Sequence, residues 1–302
     1  MSKAYKVITD QIIELMENNQ TPWAKPWSMG KLSAQANFIS GRPYTGANAF
    51  FLAMTSHIEG KSNFWITFNQ IRKAGIKLKK GSKSTAVIGW FNLKNKNADD
   101  EKDTDKKTGK GQETINLRAS YYRVFNIDDC EQLTDSMVKK LKDTEPETFE
   151  HDPIDAAEKV INNMQPKIEF GRNAAFYVPS KDFIGMVDKE RFETIESYYG
   201  VLFHELTHWT GHKSRLDRKE IGKKASFGSE EYSEEELCAE MGSVFICSEI
   251  GLSTESNLRN SSAYIKGWLK FIKSNPKAFV MACQRAQKAC DYALQRNQKG
   301  GE

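Results

Sequence analysis

Nine residues near the middle of this 302-residue chain carry its densest chemistry: His204-Glu205-Leu206-Thr207-His208-Trp209-Thr210-Gly211-His212. Histidines at i and i+4 stand one above the other on a helix face, so their ring nitrogens can converge on one ion. Glu205, between them, can take a proton from water held at that ion. Of five histidines in the chain, three fall here, a concentration that favours a hydrolytic zinc site over a chance match to a short motif. Upstream, Ile195, Tyr198, Tyr199, Leu202 and Phe203 recur at helical spacing, which puts the motif inside a helix that Gly211 can stop.

Two histidines leave a third ligand to find. His212 lies eight residues beyond His204, ~12 Å along a straight helix and too far for a ligand shell of ~2 Å. The third histidine of HExxHxxGxxH peptidases would fall at 214, where this chain has Ser214. The stretch from Ser233 to Cys247, a helix with an acidic start and an apolar tail, offers Glu234, Glu235, Glu236 and Glu240. Glu236 and Glu240 share a face one turn apart, and Leu237, Cys238 and Ala239 between them indicate a buried setting. Glu234 and Glu235 read as solvated at the helix start.

The elements around this centre divide into two parts. Residues 1–130 hold 20 Lys and Arg against 12 Asp and Glu, whereas 131–302 hold 24 against 28. A basic half joined to an acidic half suggests two tasks, and the basic half suits a polyanion. Across residues 60–98 there are nine Lys and Arg and no acid. A solvated basic loop would account for that alone, but aromatics interleave with the cations, as in proteins that stack the bases of single strands. The candidate contacts are Trp23, Lys25, Trp27, Trp65, Lys73, Lys77, Lys79, Lys80, Lys83, Arg118, Tyr121 and Arg123; the tryptophans are equally able to be core anchors.

The pattern gives a helix over about 4–18, a helix from Thr45 or Gly46, a strand Phe64–Phe68, Thr67 as a cap for a helix to Ala74, and strands Thr85–Phe91 and Thr114–Phe125. Residues 94–113, charged and almost without apolar side chains, read as an excursion between those two strands. The mixed-charge segment 131–153 reads as a linker. From Ile154 follow a helix to Met164, a short strand at 167–170, two strand pieces within 174–187 broken at Pro179-Ser180, and helices Ser261–Lys273 and Ala278–Gln295. The fold class is α+β in two domains: a mixed nucleic-acid-binding domain at 1–130 and an α-rich metal domain at 154–302. Five cysteines without a CxxC pair read as buried free thiols of a cytoplasmic protein, and no apolar run approaches the ~20 residues that span a bilayer.

Several stretches in this order resemble the ArdC antirestriction proteins of conjugative plasmids and their phage relatives. They are Thr21-Pro-Trp-Ala-Lys-Pro-Trp27, Arg42-Pro-Tyr-Thr-Gly-Ala-Asn48, Gly75 through Trp90, the HExxHxTGH motif, Phe227-Gly-Ser-Glu230, Glu235-Glu-Leu-Cys-Ala-Glu-Met-Gly242 and Ala263-Tyr-Ile…Trp268-Leu. The resemblance, nearly full-length, implies an N-terminal domain that binds single-stranded DNA and a zincin-like metallopeptidase domain after it. It also implies protection of incoming mobile-element DNA from host restriction. The order Glu-x-x-x-acid resembles thermolysin-like zincins, which implies Glu236 as the metal ligand, Glu240 as the partner of His204 or His208, and His212 as a neighbouring polar group. Zinc is the expected ion, with other divalent transition metals also suited to the donors. The expected partners are single-stranded DNA and an unidentified protein substrate, such as a component of a restriction system, with no membrane. Tyr232 and Tyr264 are available as oxyanion donors. Two other readings stay open: a DNA-coating protein with a structural metal, and a protease for DNA–protein crosslinks.

Overall fold

A computed structural model of the chain describes residues 3–17, 34–92, 117–142, 153–192, 194–219, 221, 230–252 and 270–296. The first half is built on a four-stranded sheet: β1 (Ala36–Asn37), β2 (Phe64–Thr67), β4 (Thr85–Asn92) and β5 (Leu117–Asn126), in the order β1-β2-β5-β4. β1 pairs parallel with β2, and the other pairs are antiparallel. Helices α1 (Lys3–Glu17) and α2 (Gly46–Glu59) accompany it, as does the short α3 (Phe68–Ala74). Thr67 accepts from Gln70 N–H in a reciprocal capping box, and Gly75 ends α3 in the left-handed conformation at φ 69°. The free edge of β4 is closed by one side chain: Asn48 of α2 donates to Ile88 O and accepts from Ile88 N–H, both at 2.8 Å.

The expected linker 131–153 is partly built into this half. A two-stranded pair, β3 (Lys77–Leu78) with β6 (Cys130–Glu131), leads into α4 (Asp135–Lys142). Leu133, Met137 and Leu141, spaced one turn apart, pack against Phe38, Ile66, Ile71, Ile76, Ile127 and Cys130. The boundary set at residue 130 therefore falls inside a strand.

In the second half, α5 (Pro153–Met164) precedes a small sheet of β7 (Ile168–Glu169), β8 (Phe176–Val178) and β9 (Phe183–Gly185), ordered β7-β9-β8 with β8 at an edge. Then come α6 (Ile195–Thr210), α7 (Glu230–Ile250) and α8 (Pro276–Ala293). The sequence places α6 well because Thr194 caps it, accepting from Ser197 N–H at 3.1 Å. α7 starts a turn earlier than Ser233. All five cysteines are buried free thiols. Among the described residues no helix is long and apolar enough to cross a membrane.

One core runs through both halves. Ile8, Phe50, Phe51 and Val87 belong to the same buried cluster as Phe203, Phe245, Phe279 and Cys283. The rings of Phe50 and Phe245 lie 6.2 Å apart, and Gly46 N–H donates to Gln287 Oε1 at 3.0 Å.

Candidate metal centre

α6 and α7 approach closely enough to bring three donors together. A Cβ at Gly242 of α7 would lie 2.5 Å from Thr207 Oγ1, so only glycine lets the helices meet at this level. Close by, Ser243 Oγ donates to Gly200 O at 2.7 Å. The consequence is a cluster of His204, His208 and Glu236 whose donor atoms all lie within 4.8 Å of one another. Glu236 Oε2 is 3.4 Å from His204 Nε2, and its Oε1 is 3.5 Å from His208 Nε2. Tetrahedral ligands ~2.05 Å from a shared ion stand ~3.4 Å apart, so the donor set fits a small divalent cation.

Each histidine turns its other nitrogen to a carboxylate. His208 Nδ1 is 3.1 Å from Glu235 Oε1, and His204 Nδ1 is 3.7 Å from Glu240 Oε1. The first is a hydrogen bond of the kind that fixes a ring and its tautomer; the second is a charge contact only. Glu235 corrects the sequence reading: it is 6% exposed, because the earlier start of α7 turns it toward α6. Arg218, from the segment after α6, grips it with Nε at 3.1 Å and Nη2 at 2.7 Å. The same guanidinium donates to Thr210 Oγ1 at 2.9 Å and Thr207 O at 2.6 Å. Gly211 makes room for it, since a Cβ there would lie 2.6 Å from Arg218 Cζ. Burial opposes ionisation of Glu235, but His208 and Arg218 outweigh it and hold the carboxyl below its ordinary range. Sequence reasoning placed Glu235 in solvent and did not single out Arg218, one of two arginines, with Arg215, that follow the motif closely. Glu234 pairs instead with Arg285 of α8 at 3.0 Å.

Glu205 is 8% exposed, and burial raises its pKa more than the two histidines lower it. The backbone N–H of Tyr177 on β8 hydrogen-bonds to it. For His204, burial disfavours the charged form, yet Glu236, Glu240 and Glu205 push its pKa up to about 9. Glu236 likewise ionises more readily than usual, since His204 and His208 outweigh its burial.

His212 stands outside the trio: its Nδ1 is 2.8 Å from Ser214 Oγ and 4.0 Å from Asp182 Oδ2. Asp182 belongs to a clamp on the β8–β9 hairpin. It accepts from Tyr177 Oη at 2.8 Å and from both ends of Arg215, whose guanidinium lies 3.6 Å over the Trp209 ring. The hairpin is thereby tied to the segment that follows α6.

The basic half gives a mixed result. Trp65 is a correction: it is 1% exposed and its Nε1–H donates to Gln35 Oε1 at 2.7 Å, which leaves no ring face for a base. β2 is covered on both faces, so a residue in a basic stretch became core. Tyr121 is partly buried against the main core. Lys73, Lys77, Lys79, Lys80, Lys83 and Arg123 are exposed. Lys77 lies opposite Glu131 and Lys79 Nζ donates to Asp128 O at 2.7 Å, so these two sit beside acids. Trp23, Lys25, Trp27, Tyr264 and the side chains of Arg118 and Tyr232 lie outside the described residues.

Comparison with known proteins finds two family models along the chain. The family model for the N-terminal domain of anti-restriction factor ArdC matches residues 2–125, and one described as zincin-like metallopeptidase matches 155–285. Two Escherichia coli proteins named DNA primase TraC are 30% and 31% identical over 98% of this chain, which spans 27% and 20% of their length. The uncharacterized protein y4eC of Sinorhizobium fredii is 29% identical over 95% of this chain and 90% of its own. The Mn(II)-bound crystal structure of the antirestriction ArdC protein from the R388 plasmid superposes with a TM-score of 0.70 at 30% identity, covering 99% of each chain. The likeness thus takes in both halves along the whole length, and the chain belongs to the ArdC antirestriction family, its second half a zincin-like domain with a site for a divalent metal ion.

Proposed function

We propose that this chain is a single-stranded-DNA-binding antirestriction protein whose second half is a zinc-dependent peptidase. In this reading it works in the cytoplasm, where it protects incoming mobile-element DNA from host restriction by cutting a protein, such as a component of the restriction system. The observation that carries the peptidase reading is Glu205, a buried carboxyl of raised pKa beside the His204, His208 and Glu236 donors. A purely structural metal site has no use for such a base.

A bound divalent ion supplies Lewis acidity, polarising a carbonyl oxygen and easing loss of a proton from water. Glu205, beside these donors, would be the group to accept that proton and pass it to a leaving amine. Tyr177 N–H holds the carboxyl in place, while Glu235 sets the ring of His208. β8, at the edge of its sheet, is suited to an extended peptide added as a further strand. The DNA reading is supported by the acid-free stretch 60–98 and by the exposed Lys73, Lys80, Lys83 and Arg123.

The test is a Glu205→Gln variant, compared with the parent for DNA binding, for cleavage of candidate restriction proteins and for protection of transferred DNA. Loss of cleavage by about 10²-fold or more together with loss of protection, at unchanged DNA affinity, is expected. Full protection by the variant would leave DNA coating as the function and the metal as structural.

A further inference from the structure

With Trp65 inside the core, a base on this surface needs another aromatic face among the described residues. We propose that Phe68 supplies it, with Arg123 and Arg72 beside it to meet phosphates; this rests on the single-stranded DNA reading above. Phe68 is 54% exposed, one of four large apolar side chains that the described residues leave in solvent, and Ile39 at 46% is another. At the head of α3 its ring adds nothing to the core and is open to a ligand.

The register places the cations. Thr67 pairs with Val124, and Thr85 pairs with the same Val124 from the other side. Phe68, directly after Thr67 at the head of α3, therefore comes level with Arg123, directly before Val124 on β5. Arg123 leans onto the neighbouring strand's entry, donating to Ser84 Oγ at 3.2 Å, with the exposed Lys83 next in the chain. Arg72, one turn after Phe68 on α3, is exposed as well, as is Lys73. Phe68, Arg123 and Arg72 thus form one exposed patch, Phe68 standing one strand spacing, ~5 Å, from the backbone of β5. Within residues 60–98 no acid interrupts it, and the acids Asp128 and Asp129 are engaged at Ser62 and Lys61 instead.

An aromatic face beside cations that make no ion pair among the described residues is complementary to an unpaired base on a phosphate backbone. A duplex hides its base faces and gains nothing from Phe68. A peptide would match the apolar surface but not the surplus of positive charge.

The experiment uses the full chain and a fluorescently tagged oligothymidylate, with a duplex of equal length alongside, at two salt concentrations. Phe68→Leu keeps an apolar side chain and removes the aromatic face; it should bind the single strand about 5- to 100-fold more weakly. Its salt dependence should stay that of the parent, because no ion pair is lost. Arg123→Gln should flatten the salt dependence by about one ion. Phe68→Trp should restore binding to the parent level or above. Equal affinity of the parent and Phe68→Leu for oligothymidylate overturns the assignment of Phe68 while leaving the DNA reading standing. Failure of the parent itself to bind oligothymidylate overturns both. Phe68 is exposed, so the melting temperature of each variant should match the parent and exclude misfolding as the cause.

Discussion

At the scale of single residues, the donors matter less than what holds them. Arg218 and Glu235 have side chains 6% and 8% exposed, and the pair fixes His208. Removing one partner leaves a buried charge uncompensated, so Arg218→Met should destabilise the chain by about 3–5 kcal/mol in denaturant unfolding. The double variant Arg218→Met with Glu235→Gln should recover part of that stability yet still bind metal more weakly. Glu235→Gln alone should lower metal affinity by about 10- to 100-fold, read by competition with a chelator. An unchanged affinity would mean that His208 needs no carboxylate partner. The histidines and Glu205 were legible because helical spacing is local. Glu235 was not, because its partner arrives from a loop 17 residues upstream and only the tertiary fold joins them.

At the scale of elements, the site depends on how closely α6 and α7 approach. Gly242→Ala would press a methyl into Thr207 and should cost about 1–3 kcal/mol. It should also weaken metal binding by moving Glu236 away from the histidines, and Thr207→Ala in the same chain should relieve both effects. The β8–β9 hairpin depends on Asp182, whose carboxyl is held below its ordinary range, first by Arg215 and then, against the opposing effect of burial, by Tyr177. A depressed carboxyl stabilises the fold above the unfolded-state value of ~3.9, and that contribution disappears as pH falls through the lower folded value. The melting temperature of Asp182→Asn should therefore lie below the parent's at pH 7, with the gap closing in acid below that range. A gap independent of pH would assign the clamp to shape alone. A helix end was readable where a capping residue marks it, as at Thr67. Two-residue strands such as β1, β3 and β6 carry too little pattern to be found, and Trp65 was misread because β2 is covered on both faces.

At the scale of the whole molecule, two family domains share a single core. Phe50 and Phe245 meet across the division, α8 packs on α1 and α2, and Gln287 holds the start of α2. Composition and charge suggest two tasks, but nothing local in the sequence announces that Phe50 and Phe245 are neighbours. Such a core should unfold in one cooperative transition, with probes in either half reporting the same midpoint. Phe245→Ala, expected to cost about 3–5 kcal/mol, should shift both probes together. Two separate midpoints would show that the halves are independent despite their contact.

The central claim is that His204, His208 and Glu236 hold a divalent ion which Glu205 serves without binding it. Metal content after loading with zinc or manganese and exhaustive dialysis tests this directly, on the parent and on Glu205→Gln, Glu236→Gln and His212→Ala. One ion per chain is expected in the parent, in Glu205→Gln and in His212→Ala, and almost none in Glu236→Gln. An ion retained by Glu236→Gln and lost from His212→Ala would contradict the account.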